Sequence, residues 1–199
     1  MARPRKLPRN GAWPRRASFE RFGPFYPVDV SDEHLLSFLQ RLRAVREYTP
    51  EAVDDATISS ILEVARWTST GGNRQPTQVV VVRDRGVLQK FAEWGARPGG
   101  SSAVSLLLVS DGDQAAFDEG RMAERIALAA RACGLGSVIA TLKNEGPDQA
   151  KRLLGIPEER RARTIVAIGH TDTEARRGLP RQGAAARRPM NEFVHWDRF

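Results

Sequence analysis

The chain has 199 residues, of which 41% are hydrophobic and 28% are charged, enough apolar sequence for one domain core under an ordinary hydrated surface. No apolar run approaches the roughly 20 residues that span a bilayer, and residues 1–30 lack the apolar stretch of a secretory signal, so a membrane-spanning protein is excluded and export is disfavoured. The single cysteine, Cys133, cannot form an internal disulfide, and we expect a reducing, cytoplasmic location.

Positive charge is concentrated at the start of the chain. The net charge is +7, and residues 1–21 hold seven basic residues against one acid, Glu20. The rest of the chain is therefore nearly neutral, which disfavours a uniformly basic nucleic-acid-binding domain. Five prolines interrupt residues 1–30, so we expect a disordered basic leader there. A second interpretation is an arm that binds nucleic acid or anionic lipid non-specifically.

The globular domain, residues 31–199, is predicted to begin with two helices. Ser31 is a suitable N-cap, and apolar residues then follow helical spacing as far as Leu42. The second predicted helix covers residues 54–67 and has an apolar stripe along one side. A loop with two glycines and a proline separates it from the next element.

Short strands and helices alternate through the rest of the domain. Four successive valines predict a strand at residues 78–83 that is buried on both faces. The elements predicted after it are a helix at 86–94, a strand at 103–110, a helix at 115–133, a strand at 137–142, a helix at 147–154, a strand at 163–169, a long loop at 171–189 and a short helix at 189–196. This alternation indicates a layered α/β or α+β domain.

The usual catalytic signatures are missing from the sequence. It contains no nucleophile elbow, zinc-protease motif or phosphate-binding P-loop, and its three histidines have no metal-ligand spacing. Gly134-Leu135-Gly136 follows a helix and lacks the third glycine of a dinucleotide-binding fingerprint. Cys133 lies in an Ala/Leu-rich segment and is predicted to be a small buried thiol. No catalytic side chain and no metal site is therefore predicted.

Two arginine clusters are candidates for binding an anion. Arg41, Arg43 and Arg46 lie at the end of the first predicted helix, and Arg43 and Arg46 would be neighbours if that turn stayed helical. Arg187 and Arg188 form the second cluster. Guanidinium groups bind phosphate through charge-assisted hydrogen bonds. The competing interpretation is a solvated basic helix end and a solvated arginine pair.

Residues 71–76, Gly-Gly-Asn-Arg-Gln-Pro, are a more specific signal. The two glycines allow the backbone to approach a flat ligand closely. Asn73 and Gln75 each offer donors and an acceptor, which suits the edge of a heterocycle. An ordinary turn-rich loop is the competing interpretation. Residues 134–137 then begin a strand at a point where close backbone packing is needed.

In their order and spacing, these segments resemble the FMN-dependent nitroreductase family. The resemblance runs from about residue 39 to residue 199. It depends on RLRAVREYTPEAV at 41–53, ILEVARWTSTGGNRQPTQVVVV at 61–82, LAARACGLGSV at 128–138, LLGIPEE at 153–159, TIVAIG at 164–169 and RRPMNEFVHW at 187–196.

The resemblance implies an α+β fold of three layers, in which helices flank a central, mainly antiparallel sheet. It also implies an intertwined homodimer with two FMN sites at the interface, each built from both chains. Hydride would pass from NAD(P)H through the flavin to a small electron-poor acceptor such as a nitroaromatic or a quinone. The chemistry would lie at flavin N5.

The resemblance also implies roles for particular residues. Arg43 and Arg46 would hold the FMN phosphate and ribityl chain, and Asn73 and Gln75 would contact the flavin ring. A main-chain N–H from the backbone of Ile139, Ala140 and Thr141 would approach flavin N5. Arg187 would close on the phosphate, with Arg188 beside it. Arg41 would substitute for an arginine that the family pattern has at position 42.

The first arginine motif departs from the family pattern at two positions. Leu42 occupies the place of an arginine, and Ala44 occupies the place of a serine. Thr77 likewise follows Pro76 where the family usually has tryptophan. An alternative function is therefore a dimer of the same fold that has lost tight flavin binding and acts as a binding or structural protein.

Overall fold

The computed structural model describes residues 32–177 and 187–199, so the predicted leader at residues 1–30 lies outside it. The helices in the described part are α1 Asp32–Gln40, α2 Asp55–Arg66, α3 Arg85–Glu93, α4 Ala116–Ala132, α5 Gly146–Leu154, α6 Thr173–Arg177 and α7 Met190–Phe193. The strands are β1 Thr77–Val82, β2 Val104–Ser110, β3 Gly136–Thr141 and β4 Thr164–Gly169.

Local signals in the sequence set the helix ends. The side chain of Asp54 accepts a hydrogen bond from the Thr57 backbone N–H at 2.8 Å and caps α2. Asp84 caps α3 in the same way. Gly134 and Gly155 follow α4 and α5 with φ of +76° and +65°, a left-handed conformation that favours glycine. These caps explain why the helices predicted at 54–67, 86–94, 115–133 and 147–154 agree with α2 to α5 to within about one residue. The first and last predicted helices are too long, because α1 ends at Gln40 and α7 covers only Met190–Phe193.

The four strands form one antiparallel sheet in the order β1-β2-β4-β3. Helices α2 and α4 pack against one face, and α3 and α5 pack against the other. The inner strand β2 is buried over all seven of its residues. The predicted three-layer α+β architecture is therefore confirmed.

Three sequence predictions about individual segments are wrong. The valine strand β1 is not buried on both faces: it lies at the sheet edge, where Val81 is 40% exposed. The segment at 171–189 is not simply a loop, because α6 begins at Thr173, although residues 178–186 lie outside the described part. Cys133 is exposed rather than buried because it comes after the last turn of α4. No helix within the described ranges is long and apolar enough to cross a bilayer.

Candidate functional site

Residues 42–49, which we call the arginine segment, leave α1 and run beside the open edge of β3. The Val45 N–H donates a hydrogen bond to the Ser137 carbonyl at 2.8 Å, and the Thr49 N–H donates to the His170 carbonyl at 2.9 Å. These backbone groups pair with the sheet end, so they cannot continue the helix. The expectation that Arg43 and Arg46 are neighbours on a helical turn is therefore wrong.

Two glycines allow the arginine segment to lie this close to the sheet. A Cβ at Gly136 would be only 2.6 Å from both Val45 Cγ1 and Thr171 Oγ1. A Cβ at Gly169 would be 2.9 Å from the Tyr48 ring. Contacts this short are not tolerated between packed atoms. The predicted need for close backbone packing at residues 134–137 is confirmed.

Tyr48 and Arg176 hold the arginine segment in place through hydrogen bonds. The Tyr48 hydroxyl is within hydrogen-bond distance of the Val45 carbonyl, at 2.6 Å, and of the Ala167 carbonyl, at 3.1 Å. Burial, with a smaller effect from the Glu47 carboxylate, raises the pKa of Tyr48 far above its ordinary value. Arg176 donates to the Glu47 carboxylate at 3.1 Å and to the Ala44 carbonyl at 3.3 Å. Sequence reasoning missed both roles.

A cavity of about 700 Å³, which we call the arginine cavity, opens between the arginine segment, α4 and β3. Its lining includes the guanidinium-bearing residues Arg43, Arg46 and Arg187 and one acid, Glu124. The two arginine clusters, which are far apart along the chain, therefore meet at one cavity. Glu124 could not be identified from the sequence, because it belongs to no motif and a single acid on an amphipathic helix usually faces solvent.

The cations of the arginine cavity are largely unneutralised. Arg43 Nη1 donates to the Gln40 and Leu42 carbonyls, at 2.6 Å and 2.7 Å, and so caps the end of α1. The side chains of Arg46 and Arg187 make no hydrogen bond or ion pair with any residue that the structure describes. Three positive charges and one carboxylate leave a cavity that attracts anions.

The edge of β3 contributes backbone donors to the same cavity. Because the Ser137 carbonyl points toward the arginine segment, strand alternation directs the N–H groups of Ile139 and Thr141 to that open edge as well. Ala140 instead pairs with β4 opposite Ile165. Ile139 lines the cavity and is 41% exposed, whereas Ala140 and Thr141 do not line it.

Four other predicted site residues lie outside the arginine cavity. Arg41 and Arg188 are exposed and do not line it. Asn73 and Gln75 are exposed on the loop at residues 71–75 and do not line it either. Within a single chain, the structure therefore does not bring the loop amides to the arginines.

Sequence comparison relates this chain to known proteins. The model of the nitroreductase family matches residues 39–115. A protein of Archaeoglobus fulgidus named as an NADH dehydrogenase/NAD(P)H nitroreductase is 32% identical over 153 residues, which are 71% of this chain and 88% of that protein. This chain belongs to the nitroreductase family.

Solved structures agree with this family at the level of the fold. An FMN-dependent nitroreductase from Clostridium difficile R20291 matches with a TM-score of 0.69 at 21% identity, over 82% of this chain and 99% of that one. The hypothetical oxidoreductase YcnD from Bacillus subtilis matches with a TM-score of 0.71 at 22% identity, over 83% of this chain and 74% of that one. At these identities the similarity establishes the nitroreductase fold alone.

Proposed function

We propose that this nitroreductase-family protein is an FMN-dependent oxidoreductase that uses NAD(P)H to reduce an electron-poor small molecule, such as a nitroaromatic or a quinone, in the cytoplasm. The observation that carries the proposal is the meeting of Arg43, Arg46 and Arg187 at one cavity. The names of the Archaeoglobus fulgidus relative and of the Clostridium difficile protein point to the same chemistry.

The residues of the arginine cavity fit FMN. Its volume of about 700 Å³ lies within the range typical of cofactor sites. The unpaired guanidinium groups of Arg46 and Arg187 suit a phosphate, to which arginine donates charge-assisted hydrogen bonds. The Glu124 carboxylate can accept hydrogen bonds from the hydroxyl groups of a ribityl chain.

FMN bound here would supply the two-electron chemistry that takes up hydride and passes it to the acceptor. Arg46 and Arg187 would hold the phosphate end and so fix the position of the ring. The outward N–H group of Ile139, which lines the cavity, would donate a hydrogen bond to the ring edge and stabilise negative charge there. The apolar lining residues Leu42 and Val138 would exclude water. None of these roles requires a protein nucleophile.

A symmetric homodimer is part of the proposal. Large apolar side chains are exposed on α1 and on the C-terminal residues, and a second copy would cover them: Leu35, Leu36, Leu39, Met190, Phe193, Trp196 and Phe199. The loop carrying Asn73 and Gln75 is exposed on the same chain and would complete the partner's flavin site.

The alternative, a dimer without tight flavin binding, is favoured by one observation. Leu42 and Ala44 line the arginine cavity, where the family pattern has an arginine and a serine. Two side chains that could donate to a phosphate are therefore replaced by apolar ones. Direct titration of the protein with FMN separates the two functions.

The test is an FMN titration of the wild-type chain and three variants. We expect Arg46→Gln and Arg187→Gln each to weaken FMN binding by about 10- to 100-fold, because each loses a charge-assisted contact. Arg41→Gln is the matched control, because Arg41 is exposed and outside the cavity lining. Wild-type protein that gains no flavin absorbance, or a control as impaired as Arg46→Gln, would contradict the proposal.

The redox part of the proposal has its own readout. Anaerobic NADH or NADPH should bleach the yellow colour of the flavin-loaded protein, and a nitroaromatic or quinone should then restore it. A flavin that stays oxidised with both nucleotides would contradict the assigned reaction while leaving flavin binding intact.

A further inference from the structure

A second cavity, of about 360 Å³, adjoins the arginine cavity. Leu42, Arg43 and Ser137 line both cavities. Phe38 of α1 and Arg131 in the last turn of α4 also line the second cavity. We call it the Arg131 cavity. Its volume lies at the lower end of the range for small-molecule sites.

The Arg131 side chain has a buried donor without an acceptor. Its Nε is inaccessible to solvent and has no hydrogen-bond partner among the residues that the structure describes. Buried donors are nearly always paired, so such a group needs a specific explanation. A position near the C-terminus of α4 favours a cation, but it does not explain a buried N–H without a partner.

Phe38 holds the Arg131 guanidinium without neutralising it. The guanidinium carbon lies 5.5 Å from the centroid of the Phe38 ring, within cation–π distance. Because Nε is inaccessible, an acceptor in the cavity would bind the two terminal Nη groups. Arginine forks of this kind bind phosphate oxygens through two parallel hydrogen bonds.

The charges around the Arg131 cavity are all of one sign. Arg43 and Arg131 line it, no carboxylate does, and the hydroxyl-bearing residues Ser137 and Thr171 complete its polar lining. Three other partly buried arginines in the described chain pair with acids: Arg160 with Asp111, Arg161 with Asp113 and Glu119, and Arg176 with Glu47. Arg125, on the same helix as Arg131, donates to the Trp67 carbonyl, whereas no described residue accepts a hydrogen bond from Arg131 Nε.

We propose that the Arg131 cavity is a second anion site that binds a phosphate group, separate from the site that Arg46 and Arg187 form. The phosphate can come from the free inorganic ion or from the ribose phosphate of an adenine nucleotide. Both sources present the same oxygens to Arg131 and Arg43. This inference does not depend on flavin binding, because Arg131 does not line the arginine cavity.

The experiment is calorimetric titration of the full chain with three probes: inorganic phosphate, 5′-AMP and 2′-AMP. We expect Arg131→Gln to weaken probe binding by about 10- to 100-fold, because the charged fork is lost. Arg121→Gln is the matched control on the same helix, since Arg121 is exposed and pairs with Asp118. Equal binding by Arg131→Gln and wild type, or no binding of any probe below about 10 mM, would overturn the proposal.

Phe38→Leu is a second variant in case Arg131→Gln fails to fold. It keeps an apolar side chain but removes the ring that orients the guanidinium, so probe binding should weaken by about threefold or more. Unchanged affinity in a folded Phe38→Leu would count against the site. Nucleotide binding at least about tenfold tighter than phosphate would identify a nucleotide source, and equal affinity would identify the free ion.

Repeating the titration with FMN present tests whether the two sites are separate. We expect the probes to bind the FMN-loaded protein, and Arg46→Gln to keep its affinity for them, because Arg46 lines only the arginine cavity. Displacement of FMN by a probe would mean that the cavities share one phosphate and would overturn the proposal. A chain that binds the probes through Arg131 but never binds FMN would contradict only the proposed oxidoreductase.

Discussion

The arginine segment at residues 42–49 and the loop at residues 71–75 are held by the chain in different ways. Hydrogen bonds from the arginine segment reach distant residues, including Ser137, Ala167 and His170. Those of the loop are local: the Asn73 N–H donates to the Thr70 carbonyl at 3.0 Å, and the Gln75 N–H donates to the Thr70 hydroxyl at 3.0 Å. One segment is part of the sheet's architecture, and the other is a self-contained turn.

The backbone of the loop is also less relaxed. Asn73 and Gln75 have φ of +55° and +50°, in the left-handed region that disfavours residues with a Cβ. Conformations of this kind cost about 1–3 kcal/mol and are found preferentially at functional sites. A single chain therefore brings Arg43, Arg46 and Arg187 together at the candidate site, whereas it presents the amide-bearing loop to solvent. In the proposed dimer, this loop would serve the partner's site.

Among the substitutions proposed here, Gly136→Val should destabilise the protein most, because it separates the arginine segment from the sheet. Gly136→Val places a branched side chain where even a Cβ would be 2.6 Å from Val45 and Thr171. We expect a loss of about 2–4 kcal/mol in the free energy of unfolding, together with loss of FMN binding. Urea denaturation and FMN titration measure the two effects.

Gly120→Ala is the matched control for this substitution. Gly120 lies within α4, and a Cβ there would meet no atom within 4 Å. Alanine in a helix interior should therefore raise stability by about 0.5–1 kcal/mol. If Gly136→Val unfolded at the same urea concentration as wild type, the close packing of the arginine segment would not be important for stability.

The contrast between the two segments also shows what sequence patterns capture. Helix and strand positions were predictable because their caps and apolar spacing are local, as at Asp54 and Gly134. The arginine segment was mispredicted as helical because leucine, arginine and alanine are good helix formers. Its backbone pairs instead with Ser137 and His170, and such distant partners leave no local signal.

The candidate site residues also differ in whether a local sequence signal could reveal them. The meeting of Arg46 with Arg187 was implied only by family resemblance, since nothing in local spacing joins positions so far apart. Glu124 and Arg131 were not predicted at all, because a charged residue on an amphipathic helix is ordinarily solvated. Only packing shows that these two helix positions face cavities.

Loss of the Tyr48 hydroxyl, which anchors the arginine segment, should lower the free energy of unfolding by a smaller amount. Tyr48→Phe removes the donor that reaches the Val45 and Ala167 carbonyls but keeps the ring against Gly169. We expect a loss of about 1–2 kcal/mol in the free energy of unfolding at neutral pH. Hydrogen exchange at the Val45 amide should quicken, because the segment opens more readily.

The raised pKa of Tyr48 gives this prediction a pH dependence. The folded chain keeps the phenol proton at a pH where the unfolded chain releases it, so the stabilisation is complete below about pH 10 and declines as the pH rises further. Urea denaturation at about pH 8 and about pH 10.5 should show this decline in wild type and less of it in Tyr48→Phe. Tyr26→Phe, which alters the chain's only other tyrosine, is the control. A Tyr48 phenol that titrates near its ordinary pKa in absorbance measurements would contradict the buried anchor.

Relief of backbone strain in the loop at residues 71–75 should change stability least among these substitutions. Gln75→Gly removes the cost of a left-handed conformation at φ +50°, while glycine adds entropy to the unfolded chain. The two terms oppose each other, and we expect a net gain of up to about 1 kcal/mol in the free energy of unfolding. FMN affinity of the same variant should fall, by about fivefold, if the Gln75 amide contacts the flavin ring of the partner's site as we propose.

Arg74→Gly is the matched control at the neighbouring position. Arg74 has an ordinary φ of −70°, so glycine there brings only the entropic cost and the loss of the hydrogen bond from Arg74 Nε to the Gly71 carbonyl. Stability should therefore fall by about 0.5–1 kcal/mol. Opposite signs of the stability change at adjacent positions would show that strain is concentrated at Gln75, and a gain in stability accompanied by weaker flavin binding would show that the strain serves the ligand. Equal losses of stability in both variants would instead make the loop a passive turn and would remove it from the candidate site, which the residues lining the arginine cavity would then form without it.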